Sequence, residues 1–86
     1  MDWKTVDSSN LSQITYDKQS MTLGIKFFNG SVYTYDDVGM QVFTDLQTAS
    51  SVGGYFNKAI KASYPYMKHA DAQEAEAYIM ARREST

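Results

Sequence analysis

From Met21 to Phe28 the chain alternates, with Met21, Leu23, Ile25 and Phe27 set against Thr22, Gly24, Lys26 and Phe28. A period of two is the signature of a strand with one buried face. Asn29-Gly30 then closes a hairpin with Ser31 to Val38, and its register decides where Tyr33 and Tyr35 point. A two-residue loop pairs Phe28 with Ser31 and leaves both tyrosines beside Lys26 and Phe28. A three-residue loop, Phe28-Asn29-Gly30 with Gly30 left-handed, pairs Phe27 with Ser31. Both tyrosines then join Leu23, Ile25 and Phe27, and the other face is mostly polar. The second register sorts the faces better and is the one expected. Upstream, Leu11 to Asp17 reads as a shorter strand, with Ile14 and Tyr16 on one side and Thr15 on the other. Polar turns flank it at Val6-Asp7-Ser8-Ser9-Asn10 and Asp17-Lys18-Gln19-Ser20.

Beyond Val38 the period changes. Val42, Phe43, Leu46 and Ala49 form a helical stripe over roughly 39–49, with Asp37 as the expected N-cap. Ser50 or Ser51 then caps a second helix running to about Tyr64, with Val52, Phe56, Ala59, Ile60 and Ser63 on one side. Pro65 disfavours helical geometry at Tyr64, and Asn57, Lys58 and Lys61 fall on the outer side. A third helix follows Asp71-Ala72-Gln73-Glu74, which has the form of a capping box. Arg82 and Arg83 near its end suit the helix dipole, and its stripe of Ala72, Ala75, Tyr78 and Ile79 is thin. The pattern predicts one α+β fold: a small antiparallel β-meander packed with two helices, plus an appended C-terminal helix.

Composition narrows the function classes. The chain has 86 residues, 43% of them hydrophobic and 14% aromatic, enough for a packed core without disorder. Seven tyrosines bring large contact area with polar tips. A net charge of −2 argues against generic binding to phosphate backbones. The absence of cysteine rules out disulfides, thiolate metal sites and a thiol nucleophile. No apolar run approaches the ~18 residues of a membrane span, so a soluble protein with no membrane contact is expected, and the lack of cysteine suits the expected cytoplasmic location.

Catalytic constellations are hard to find. His69, in an expected turn between helices, reads as a solvated residue with no partner. Asp36 and Asp37 are neighbours, and adjacent strand side chains point to opposite faces, so they make no carboxylate pair. No spacing fits a metal, and Gly53-Gly54 lacks the Gly-Lys-Ser/Thr context of a phosphate loop. Neither an enzyme nor a cofactor is expected. The stretch from Ser50 to Lys58 is more informative. Two serines and two glycines open a helix, where free backbone N–H groups and close approach favour an anion or a partner. No acid occurs between Asp45 and Asp71, whereas Lys58, Lys61 and Lys68 do. The bland alternative is a helix–helix corner with a serine cap and glycines for tight packing.

The order of motifs is also recognisable. Val6-x-Ser8-Ser9, Ile14-x-Tyr16-Asp17, Leu23-x-Ile25-x-Phe27, Gly30, Tyr33-x-Tyr35 and Val38 come first. Val42-Phe43, Leu46, Ala49, Ser51-x-Gly53, Tyr55-Phe56-Asn57, Ile60 and Tyr64-Pro65 follow. Over about residues 5–65 the chain resembles the KTSC domain, a short module named for its occurrence at the C-terminus of some lysyl-tRNA synthetases. The family also includes stand-alone bacterial and phage proteins. Val38-Gly39 stands where members usually have Val-Pro, and Val42-Phe43 where they often have Val-Tyr.

The resemblance implies a small α+β module and brings no catalytic residues with it. It divides the chain into a domain over 1–65 and a helical extension over 66–86. The extension is expected to be an accessory, so that a chain ending at Pro65 or Tyr66 still folds. The expected function is a non-enzymatic binding module of a bacterium or phage, acting in the bacterial or host cytoplasm. Its expected site joins Ser8, Ser9, Ser51, Gly53, Asn57 and Lys58, with Lys58 the outlier because it lies about two residues from the apolar stripe. The partner is a protein or a small anionic ligand, and the C-terminal helix is a candidate dimer surface. Two alternatives are an RNA-binding accessory module, opposed by the acidic total, and an inhibitor of a bacterial defence system.

Overall fold

The computed structural model describes residues 1–85. Strands β1 (Lys4–Thr5), β2 (Leu11–Asp17), β3 (Thr22–Phe27), β4 (Val32–Tyr35) and β5 (Tyr66–His69) form one antiparallel sheet in that order. Helix α1 (Met40–Thr48) follows β4. Helix α2 (Val52–Tyr55) runs on into a π-helical turn over Phe56–Ile60, and α3 (Ala72–Glu84) closes the chain.

The β3–β4 hairpin takes the three-residue loop. Phe27 N–H donates to the Ser31 carbonyl at 2.9 Å, and Ile25 and Leu23 face Tyr33 and Tyr35. Gly30 sits at φ +93°, a conformation that side chains rarely adopt. A Cβ there would meet nothing within 4 Å, so any penalty is backbone strain alone. Gly30→Ala is expected to destabilise by about 1 kcal/mol in denaturant titration. An unchanged midpoint would refute a left-handed requirement at Gly30.

One sheet face holds the main core. Leu11, Ile14, Leu23, Ile25, Leu46 and Ile60 are fully buried there, with Val38, Phe43, Val52 and Phe56 of the helical layer and its approach packed in. Leu11 and Ile14 are three apart and would ordinarily face opposite ways. A bulge between Leu11 and Gln13 resets the phase, so both reach the same core. Rings fill the rest: Tyr16 stacks on Phe43 at 4.8 Å, while Phe56 meets Phe27 and Tyr35 edge-on at 5.6 and 5.5 Å.

The structure corrects the helix boundaries. Asp37 is not an N-cap: it lies at φ +62°, and Gly39 precedes α1 without a side-chain cap. The Asp37 carboxylate instead pairs with the Arg82 guanidinium at 3.3 Å. Ser51 does cap α2, its Oγ accepting the Gly54 N–H at 3.1 Å. The helical run ends near Ile60 rather than Tyr64, because the chain must already be extended at Pro65. There the Pro65 carbonyl accepts the Asp36 N–H at 2.9 Å and begins the pairing of β5 with β4.

The segment expected to be an inter-helix turn is therefore the fifth strand. His69, expected to be solvated, is 4% exposed. Its Nε2 lies 2.8 Å from Thr34 Oγ1, its Nδ1 lies 3.4 Å from Glu74, and its ring tilts against Tyr78 at 5.2 Å. Strand alternation points His69 inward with Val32 opposite, whereas Tyr66 and Lys68 turn the other way.

Helix α3 covers the sheet's second face, the one built of Thr22, Gly24, Val32 and Thr34. Ala75 and Ile79 are fully buried against it. The Trp3 indole crosses Gly24, where an added Cβ would come within 2.9 Å of the ring, and its Nε1 donates to Glu76 at 2.6 Å. Tyr78 donates to Asp36 at 2.9 Å, and Arg82 Nε donates to Thr22 Oγ1 at 3.0 Å. Asp17 is nearly buried. Burial opposes its charge, but the Arg83 guanidinium and the Ser20 hydroxyl and N–H hold its carboxyl below the ordinary range.

Candidate functional site

The turn before β2 and the start of α2 meet at a polar corner. Ser8 Oγ accepts the N–H groups of Asn10 and Leu11 at 3.3 and 3.2 Å and donates to Asn10 Oδ1 at 3.1 Å. This serine turn brings Asn10 against Gly53, where a Cβ would approach Asn10 Oδ1 to 2.7 Å and Ser8 Oγ to 3.2 Å. Gly53 is thus required for the two segments to touch, independently of any ligand.

Around this contact lies an open concavity of about 350 Å³. Its lining includes Ser8, Ser9, Ser51, Gly53 and Asn57 of the expected site. Lys58 is not among the lining residues; it is exposed on the π-helical turn. Asp7 lines the hollow instead, so the corner carries an acid where a base was expected. Ser51 is occupied by its cap, and Ser8 by its turn. The side chains of Ser9 and Asn57 make no hydrogen bond to any described residue and remain available. Hydroxyls and an amide beside a carboxylate suit hydrogen bonding to a neutral polar group better than charge neutralisation of an anion.

A second hollow has a mostly aromatic lining. It lies on the main-core side of the sheet, near the β3–β4 hairpin, and measures about 320 Å³. Tyr33, Tyr35 and Tyr66 line it from β4 and β5, with ring centroids 6.0–6.4 Å apart. Phe27 and Phe56 add ring edges, and Lys61 supplies the charge. Burial, then the neighbouring Tyr33 and Tyr66, push the Tyr35 hydroxyl up to about 12. The spacing Tyr33-x-Tyr35 was a visible signal for this hollow. Tyr66 carries no such signal, because residues 66–69 show no strand alternation in the sequence.

Among the described residues no three His, Cys, Asp or Glu side chains are grouped to hold a metal ion. No helix among them is long and apolar enough to cross a membrane.

An antiparallel sheet with two short helices across one face and a polar corner at their junction defines a small α+β module. Residues 7–64 match the KTSC domain, and the chain belongs to that family. It is 40% identical over 60 residues to a lysine–tRNA ligase of Nostoc punctiforme, a match covering 70% of this chain and 11% of the ligase. It is 34% identical over 59 residues to a protein of Tsukamurella paurometabola, covering 69% of this chain and 88% of that protein. The crystal structure of a KTSC domain protein from Yersinia pestis superposes with a TM-score of 0.77 at 28% identity, covering 79% of this chain and 96% of that one. The chain thus spans about a tenth of the ligase it matches, and nearly all of the small proteins.

Proposed function

We propose that this KTSC domain is a non-enzymatic binding module that holds a protein partner at the corner between the Ser8–Asn10 turn and the start of α2. The observation carrying this reading is that Ser8, Ser9, Ser51, Gly53 and Asn57, far apart in sequence, surround one hollow. Ser9 and Asn57 offer a hydroxyl and an amide, the groups that recognise peptide N–H and C=O. Asp7 in the lining, together with Lys58 outside it, favours a polypeptide over a small anionic ligand. The module acts in a bacterial cytoplasm, as a host or phage protein.

Affinity capture from bacterial lysate, with quantitative mass spectrometry, tests the proposal by comparing the parent with Ser9→Ala/Asn57→Ala. Neither side chain supports the fold through a hydrogen bond, so the variant should remain folded. Each lost hydrogen bond should weaken a true partner by about fivefold. Partners retained by the parent and lost by the double variant are the expected result. Lys58→Ala should retain them. If the double variant captures every protein as the parent does, the corner is a structural joint and the proposal fails.

A further inference from the structure

The aromatic hollow shares no lining residue with the corner, and its chemistry is different. Tyr35 is 4% exposed, yet its hydroxyl makes no hydrogen bond to any described residue. That hydroxyl is not sealed off from solvent, since it is absent from the fully buried orphan atoms and Tyr35 lines the hollow. A hydroxyl with no protein partner, opening on a hollow lined mostly by rings, is a hydrogen-bonding group left for water or a ligand.

Lys61 is the charged residue of the lining, and no described carboxylate pairs with it. Five of the eight lining residues are rings, with Asn29 and Ser31 beside them; Tyr66 is 64% exposed, and Tyr33 stands edge-on to Phe27 at 5.7 Å. Ring walls favour a flat ligand, because stacked and edge-to-face contacts both add to burial. From these features we infer that the hollow binds a single planar ring with a hydrogen-bonding edge and an anionic arm. The ring lies against Tyr33 and Tyr66, its polar edge meets the Tyr35 hydroxyl, and the anion reaches Lys61.

Competing occupants fit less well. A proline-rich peptide would use the tyrosine faces, but a pyrrolidine ring brings no polar edge to Tyr35. A cation would be repelled by Lys61, which lies where an aromatic cage needs no positive charge. A nucleic-acid strand needs several basic groups along its path, whereas the lining holds one lysine and the chain is acidic overall. The size of the hollow, at the lower end for ligand pockets, suits one ring and its substituent.

The test is titration of the ¹⁵N-labelled protein with uridine monophosphate, uridine and 4-hydroxyphenylacetate, following the amides of Ser31, Tyr33, Lys61 and Tyr66. At least one of the two anionic probes is expected to shift these amides, and which one does so separates a nucleotide from an aromatic acid. Tyr35→Phe removes only the oxygen and should weaken that probe by about fivefold while leaving other amide positions unchanged. Lys61→Gln should lower uridine monophosphate to the level of uridine, or weaken the aromatic acid by a similar factor. The inference is overturned if neither anionic probe shifts these amides at roughly 5 mM. It is equally overturned if Tyr35→Phe binds as the parent does.

Discussion

Phe56→Ala is expected to destabilise the protein by about 3–5 kcal/mol, the range for removing a large buried aromatic side chain. Phe56 is 2% exposed and stands at the junction of the helical layer and the sheet. Its ring meets Phe27 and Tyr35 edge-on, so truncation removes two aromatic contacts as well as buried area. Those neighbours are held by strand pairing and cannot collapse freely into the space. Their fixed positions place the cost toward the upper part of the range. Urea titration by circular dichroism measures it, and a loss below about 1 kcal/mol would show that the helical layer can repack around the gap. Because Phe56 also lines the aromatic hollow, any ring ligand should be lost in the same variant.

Ile79→Ala is expected to cost about 2–5 kcal/mol. Ile79 is fully buried, although the sequence shows it on a thin stripe of a polar helix. Its setting is the second sheet face, where Thr22, Thr34 and Val32 are also buried. If α3 were mere decoration, the variant would melt like the parent. The expectation that a chain ending at Pro65 still folds depends on the same surface. Such a chain keeps β1 to β4 and the apolar core, but loses β5 and the cover over the threonines. It also strips Arg83 from the nearly buried Asp17 carboxylate. Its transition should therefore come at lower urea than that of Ile79→Ala.

Local patterning made the hairpin legible. Alternation over Met21–Phe28 needed one register to separate Leu23, Ile25, Tyr33 and Tyr35 from Lys26, and the pairing found is that register. A serine cap at 50 or 51 was legible for a similar reason, since the signal lies within the turn itself, and the structure selects Ser51. Leu11 and Ile14 show a limit of period counting. Their shared burial depends on a bulge, which the spacing alone does not reveal.

Patterning between near neighbours is enough for the β2–β3–β4 meander, a helix over about 39–49, a serine-capped helix start after it, and the family pattern over about 5–65. Tertiary structure decided the rest. Residues 66–69 have no alternation strong enough to declare a strand, and they become one because the edge of β4 offers unpaired backbone groups. His69 is buried only because that strand turns it toward Thr34 and the helix above. The polar face of the sheet is covered because Thr22, Thr34 and Gly24 are small enough for Trp3 and α3 to approach, a property of shape that hydropathy does not record. The same holds for the sites. Ser8 and Ser51 stand in two separate turns, and only packing across Gly53 makes them one corner, just as only the β4–β5 pairing sets Tyr66 beside Tyr33 and Tyr35.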